Sequence, residues 1–496
     1  MTHPAAFPSH RRAVLAVAMA VSTFLAGCAD MGGIASHAAL RDAGMPAPTV
    51  GTAAPSVAGV QSAVDAQWWR AFGDPQLDRL IDHAVAGNPN LQVARARLSR
   101  AQAHTGIAEA AGRPQLSGAL DATRQQFSGN YIYPAPLGGS IRNTATLQLS
   151  GSWELDFFGK NRSSLDAALG VANAAAADAD AAGVLLASNV ARGYIQWARL
   201  DDQRVVAGRT LAQREETLRL VRDRVAAGLD TRLELRQSEG GLPEARQQVE
   251  ALDEQIAITR HALDALVGRA DATAALTPPT LSTLRAMAMQ PTLPVDLLGR
   301  RADIAAARWR VEAATSDVQH ARTEFYPNIN LVGFAGLASI GFGNLIKSGS
   351  QQWGVGPAVR LPIFEGGRLR ANLRGKAADL DAAIESYNAA VGDAVRDVAD
   401  QLTSTESIAR QQTEQRAAQA AAEGAYDIAV QRYRAGLGNY LQVLTAETAV
   451  LVQRRQAVDL AARALDVQVA LARALGGGWQ PHTAVATAPR ASTTHP

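Results

Sequence analysis

One stretch of this chain occurs twice. Arg224 to Gly268 overlays Arg432 to Gly476 without a gap at an offset of 208 residues, which sets Ala227, Gly228 and Leu229 on Ala435, Gly436 and Leu437. The same overlay sets Leu233, Leu252 and Leu263 on Leu441, Leu460 and Leu471. A second overlay, at an offset of 213, sets Asn88 to Leu116 on Arg301 to Ile329 and Pro114 on Pro327. Self-similarity of this length means one duplicated supersecondary unit. Each copy reads as a helix, a proline, two strands around a turn-rich loop, a very long helix, a glycine-marked turn and another helix.

The long helices set the architecture. Residues 161–227 and 368–435 hold no proline, and at 1.5 Å per residue each helix could reach about 100 Å. In the second, Leu373, Ala377, Leu380, Ile384, Tyr387, Val391, Ala394 and Val398 step by 4, 3, 4, 3, the spacing of a coiled-coil seam. The first carries a weaker seam through Leu165, Ala172, Ala179, Leu186, Gly193 and Leu200. Hydrophobic residues make up 47% of the 496 but aromatics only 5%. Alanine-rich helices approach closely, so these stripes hold helices together and do no chemistry.

The strands expected at about 114–127, 144–157, 328–339 and 352–363 read differently. Thr146, Gln148, Ser150, Ser152 and Glu154 alternate with Leu147, Leu149, Gly151, Trp153 and Leu155; Gln352, Gly354, Gly356, Ala358 and Arg360 alternate with Trp353, Val355, Pro357, Val359 and Leu361. About ten alternating residues are the mark of a transmembrane strand, although a half-buried soluble strand looks similar. The first strand of each pair alternates less cleanly. Four strands leave two open edges that lipid cannot satisfy, so the chain must oligomerise to close a barrel. Two copies would give a filled eight-stranded barrel and three a twelve-stranded one with a lumen; residue patterns do not choose between them.

The N-terminus has the form of an export signal. His10, Arg11 and Arg12 precede the 13-residue apolar run Ala13 to Leu25, then Ala26, Gly27 and Cys28. The run is too short to span a bilayer, which needs about 20 apolar residues. A removed signal peptide (1–27) is expected, with the sole cysteine, Cys28, as acyl acceptor. Residues 28–62, rich in Ala, Gly, Pro and Ser, read as a lipid anchor and partly extended linker. The first repeat then occupies 63–285 and the second 286–478, with a flexible tail at 479–496.

Enzymatic and nucleic-acid readings find little support. His83, His104, His261 and His320 lie far apart, no metal-ligand spacing occurs, and no cofactor or metal is expected. Gly354-Val355-Gly356 lacks the third glycine of a dinucleotide fingerprint and sits in a strand. With a net charge of +2 and no cationic run interleaved with aromatics, no nucleic-acid partner is expected.

The motifs WWRAFGDPQLDRL from Trp68, WELDFFGK from Trp153, LPVDLLGRRADIAAA from Leu293, LPIFEGG from Leu361, RYRAGLGNYLQVL from Arg432 and ALGGGW from Ala474 together resemble the outer membrane factors, the TolC-like exit ducts, and in particular the lipidated NodT-type branch serving RND efflux pumps. One departure is Ala302, where that family commonly has proline. The resemblance implies a mainly α fold with a transmembrane β-barrel part: a homotrimer whose twelve strands form an outer-membrane barrel continued by a periplasmic α-barrel. It also implies a lipid-anchored protein of the outer membrane whose partners are a periplasmic adaptor and an inner-membrane RND-type pump. Such a duct conducts passively and carries no catalytic residue.

The hairpin tips, 228–231 and 436–439, are then the expected adaptor-docking points, through Gly228, Leu229, Gly436 and Leu437. Their glycines suit the left-handed stop of a helix. Gate candidates are Asp230, Arg232, Glu234, Tyr433, Asn439 and Gln442; the resemblance implies that Glu234 engages Tyr433. Its acidic rings past the second tip fall on Gln442 and Thr445, which are uncharged, leaving Asp230 as the substitute that could focus cations. A type I secretion duct of the same fold, and a lipid-anchored periplasmic coiled-coil scaffold, are the alternative readings.

Overall fold

The computed structural model describes residues 31–40, 64–287 and 300–480. The signal segment 1–27, Cys28, the linker residues 29–30 and 41–62, the start of the motif at Leu293 and the tail beyond 480 lie outside the described residues. The longer elements are α1 (Pro75–Gly87), α2 (Pro89–Ala111), β1 (Gln115–Gln126), β2 (Ile141–Glu154), α3 (Lys160–Ala226), α4 (Arg232–Val267), α5 (Ala302–Thr323), β3 (Asn328–Ile340), β4 (Gln351–Arg360), α6 (Arg368–Arg434) and α7 (Tyr440–Ala474). Both long helices, α3 and α6, have 67 residues.

Local chemistry explains where elements start and stop. The first helix of the first repeat is two helices, because Asn88 precedes Pro89 and takes an extended conformation (ψ 124°) that ends α1. Asp74 caps α1, accepting from the Gln76 amide at 2.8 Å, with Pro75 pre-set in the first turn. β2 begins at Ile141, three residues before the expected start, because Ile141 pairs with Gln126. It ends at Glu154, and two residues on Asp156 accepts from the Arg162 amide at 2.9 Å to open α3. β4 stops at Arg360, short of 363, since Pro362 has no N–H to offer a ladder.

The chain forms two compact units. The first contains residues 31–40, 98–174 and 307–387 and holds the sheet. Its strands run in the order β1-β2-β3-β4, all antiparallel, so the two repeats contribute adjacent hairpins to one sheet. The register fixes two faces. Leu116, Leu120, Leu147, Leu149, Trp153, Leu331, Leu337, Trp353, Val355 and Val359 share one side, and most of them are exposed, Trp353 and Val355 by 77% and 70%. Ser117, Asp121, Thr146, Gln148, Ser150, Glu154, Asn330, Gln352 and Arg360 share the other. β3 departs from this pattern, carrying Val332 and Phe334 on the polar side.

Beside the sheet, Val311, Val318, Phe325, Leu369, Leu373, Leu380 and Ile384 form the unit's buried cluster, and the 4, 3 spacing in α6 is its cause. α3 and α5 approach closely: a Cβ at Gly170 would lie 2.9 Å from that of Ala313. Part of the expected linker is not free chain, because Met31, Ile34 and Ala38 pack against this cluster.

The second unit contains residues 64–97, 175–287, 300–306 and 388–480 of the described chain. Its core gathers Trp68, Trp69, Phe72, Leu77, Ile81, Tyr194, Trp197, Leu263, Val469 and Leu471. The buried Tyr194 hydroxyl donates to the capping Asp74 at 2.6 Å. Trp479, expected to begin a flexible tail, is tied in place, donating from Nε1 to Asp180 at 2.8 Å.

Candidate functional site: the paired hairpin tips

Both tips lie in the second unit. At the first, α3 ends on Gly228, whose φ of +74° is the left-handed conformation that glycine adopts without strain. Its amide donates to Val225 and that of Leu229 to Arg224, at 3.0 and 2.9 Å. The second tip repeats this with Gly436, also at φ +74°, and Leu437, whose amide donates to Arg432 at 2.8 Å. Asn439 caps α7 by accepting from the Gln442 amide at 3.1 Å. Duplication thus reproduces the backbone of the turn.

Side chains break the symmetry. Arg224 on α3 donates to both carboxylate oxygens of Asp230, at 2.9 and 3.3 Å, and to the Tyr433 carbonyl at 3.0 Å. Its guanidinium lies 4.5 Å from the Tyr433 ring centre, within cation–π range. The Tyr433 hydroxyl donates to the same Asp230 carboxylate. Three groups from α3, its tip and α6 therefore close on one another, with Tyr433 only 1% exposed. Val221, Tyr440 and Val443 pack around them. Burial works against ionisation of Asp230, but the bonds from Arg224 and Tyr433 outweigh it and hold its carboxyl below the ordinary 3.8. Burial and the adjacent Asp230 push the Tyr433 phenol up.

Glu234 does not engage Tyr433, contrary to the expectation. It is the third residue of α4 and its carboxylate accepts from the Thr231 amide at 2.9 Å and from the Thr231 hydroxyl, completing a capping box with Thr231. The tip's own helix consumes it. Asp230 takes the position against Tyr433. Nor does Asp230 substitute for an acidic ring, because its side chain is 10% exposed and ion-paired to Arg224. Arg232, Asn439 and Gln442 are exposed. So are four repeat-related leucines, Leu229 and Leu437 at 65% and 70%, Leu233 and Leu441 at 63% and 60%.

Sequence reasoning missed Arg224, and the repeat holds the signal for it. Arg224 and Arg432 are equivalent at the 208-residue offset, as are Asp230 and Gly438. With glycine in place of aspartate, Arg432 binds its own tip, at the Leu437 carbonyl 3.1 Å away. Arg224, which has the carboxylate, bridges to the other hairpin.

A second polar cluster lies farther along the same helices. Arg214 on α3 donates to Glu447 on α7 at 3.2 Å, to Glu244 on α4 at 2.9 Å and to the Gly241 carbonyl at 2.8 Å. Glu447 is 7% exposed, and burial raises its pKa despite Arg214. Removing the cation would leave a buried carboxylate without its charge partner. Arg214→Met should therefore destabilise the second unit by about 2 kcal/mol, and Arg214→Met with Glu447→Leu by less than Arg214→Met alone. Thermal unfolding of the two variants measures this; equal losses would show that the pair is not coupled.

Among the described residues no cluster of three metal-ligating side chains occurs. A sequence profile described as outer membrane efflux protein matches residues 80–269 and 293–477. The chain is 38% identical over 392 residues to the fusaric acid resistance protein FusA of Burkholderia cepacia, covering 74% of this chain and 69% of that protein. It is 32% identical over 423 residues to the multidrug resistance outer membrane protein MdtP of Escherichia coli K12, covering 84% and 87%. Among solved structures, the outer membrane protein VceC of Vibrio cholerae superposes with a TM-score of 0.80 at 35% identity, over 84% of this chain and all of that one.

Proposed function

This chain belongs to the outer membrane efflux protein family, and from that premise we propose that its paired hairpin tips are the periplasmic gate of a trimeric duct, latched by Asp230, Arg224 and Tyr433. The protein is an outer-membrane exit duct for efflux. It works by passive conduction: no residue is asked to do chemistry, and the drive comes from an inner-membrane RND-type pump joined through a periplasmic adaptor.

One observation carries the closed-ring reading, and the family relationship supports three as its copy number. The four-stranded sheet has one mainly apolar face and an opposite, mainly polar one, and it ends in two unpaired edges, β1 and β4. Lipid tolerates the apolar face but not the open edges. Three copies close them as a twelve-stranded ring with the polar face around a lumen. The two repeats, 63–285 and 286–478, each give that ring one strand pair and one helical hairpin, and Cys28 carries the acyl anchor. Cross-linking of detergent-extracted outer membranes tests it: trimers are expected, and a monomer released by washing alone would end the duct reading.

The exposed leucines at the tips are the docking knobs for the adaptor, with Gly228 and Gly436 shaping the turns that present them. Arg232, Asn439 and Gln442 surround the latch and meet the passing cargo. Leu229→Asp with Leu437→Asp should cost about 2 kcal/mol of docking affinity for each position, the scale of an interface hot spot. The trimer should be unaffected. In-cell cross-linking to the adaptor reads the loss, and undiminished cross-linking would move the docking site elsewhere.

A further inference from the structure

Phe334 is an aromatic side chain on the polar face of the sheet. On that face it is flanked along β3 by Val332 and Gly336, Ser150 of β2 and Gly354 of β4 lie directly across from it, and Gln148 and Gln352 stand at the diagonals. None of these neighbours carries a charge. Continued into the strands, the overlay at an offset of 213 sets Phe334 on Asp121, which also lies on the polar face. One copy of the repeat therefore places a phenyl ring where the other places a carboxylate.

The ring lies across the ladder instead of standing up from it. A Cβ built at Gly354 would fall 2.7 Å from Cε1 of Phe334 and 3.1 Å from Cζ, so the ring covers that glycine, a known way to steady a bare strand position. Covering the glycine occupies part of the ring. Phe334 nevertheless remains 40% exposed, and a Cβ at Gly356, the next position on the same face of β4, would meet nothing within 4 Å. A polar rail runs alongside. The Gln352 amide donates to Gln148 at 3.3 Å, and the Gln148 amide donates to the Ser150 hydroxyl at 2.8 Å, which leaves that hydroxyl its own proton to give.

Only one kind of occupant reaches this face. Lipid lies against the opposite side of the sheet, and a closed ring shuts folded partners out of its lumen, so what meets Phe334 is the cargo in transit. We propose that Phe334, floored by Gly354 and edged by Gln148, Ser150 and Gln352, is a stacking platform in the lumen for planar aromatic cargo with a neutral hydrogen-bonding edge. This rests on the reading of the polar face as the wall of a lumen. An aromatic pair of this kind changes affinity about fivefold, enough to hold a passing molecule briefly and too little to stop it, which conduction requires.

The test uses the full chain as a trimer in lipid nanodiscs, with benzamide as the probe and cyclohexanecarboxamide as a saturated counterpart of similar size and the same polar edge. Titrations followed by saturation-transfer NMR should show the native trimer preferring benzamide about fivefold. Phe334→Leu, which keeps an apolar side chain in the strand, should abolish the preference; Phe334→Trp should retain it, and Gly354→Ala should lower it by displacing the ring. The lumen is read separately. Ser150→Cys should react with a membrane-impermeant thiol reagent above the background of the native chain, and Val355→Cys, on the lipid side, should not. A native trimer without the preference, or a preference that survives Phe334→Leu, overturns the platform, and a reactive Ser150→Cys confines that failure to it. A protected Ser150→Cys overturns the platform and the lumen reading together.

Discussion

Arginine at Leu147 or Val355 should abolish recovery of the trimer from the outer membrane, whereas arginine at the neighbouring Gln148 or Gln352 should leave it intact. Leu147 sits midway along β2, across from Leu120 and Leu337; Val355 lies across from Gly333. Both are on the apolar face. A cation there costs about 2–4 kcal/mol near the middle of a bilayer, and a trimer bears it three times over. Gln148 is one residue from Leu147 and Gln352 three from Val355, both on the opposite face, where Gln352 already donates to Gln148 at 3.3 Å. A lumen hydrates a new cation there. The measurement is the heat-dependent mobility of the trimer after outer-membrane fractionation. Equal behaviour at 147 and 148 would mean that the sheet does not divide lipid from water.

That prediction uses what was plainest in the sequence. Alternation in β2 and β4 assigns every side chain to a face without knowledge of the partner strands, because the pleat has a period of two. The helix ends were also legible, since glycine followed by a capping residue is local chemistry: α3 ends at Ala226 and α6 at Arg434, each one residue from its expected bound. Strand limits were less so. β2 starts where β1 can still pair with it, and that is a property of two segments rather than one.

The latch shows the same boundary more sharply. Thr231-Arg232-Leu233-Glu234 has the spacing of a capping box, so the sequence did hold the information that Glu234 belongs to its own helix. Family resemblance pulled it toward Tyr433 instead. Arg224 could not be found from spacing alone, since its partners lie 6 and 209 positions away. The segment from Met31 to Leu40 is similar: its apolar Met31, Ile34 and Ala38 are unremarked in a Gly- and Ala-rich linker until α6 supplies both a cluster to pack on and, more than 340 positions on, Asp381 as the acceptor for Ser36, His37 and Ala38.

Asp230→Ala should open the duct at rest. In this structure the Asp230 carboxylate receives two bonds from Arg224 and one from Tyr433, so its removal frees the α6 side of the latch from the α3 tip and leaves Arg224 without its counter-charge. Charge-assisted bonds contribute about 1.5–3 kcal/mol each. A net loss of about 3 kcal/mol shifts the balance between closed and open forms about 100-fold per copy. Tyr433→Phe removes one bond and should have a smaller effect of the same sign. Glu234→Ala, which loses only a helix cap, should leave conductance near that of the native trimer. Single-channel recording in planar bilayers ranks the three. Native-like conductance for Asp230→Ala, or a larger rise for Glu234→Ala, would overturn the assignment. The response to pH follows from the lowered pKa of Asp230. A carboxyl whose folded value is depressed stabilises the closed form at all pH above its ordinary value of 3.8 and loses that contribution as pH falls through the lowered one. Resting conductance of the native trimer should therefore stay low from neutral pH to about 5 and rise only below about 4, while that of Asp230→Ala should be high throughout and lack this acid-induced rise.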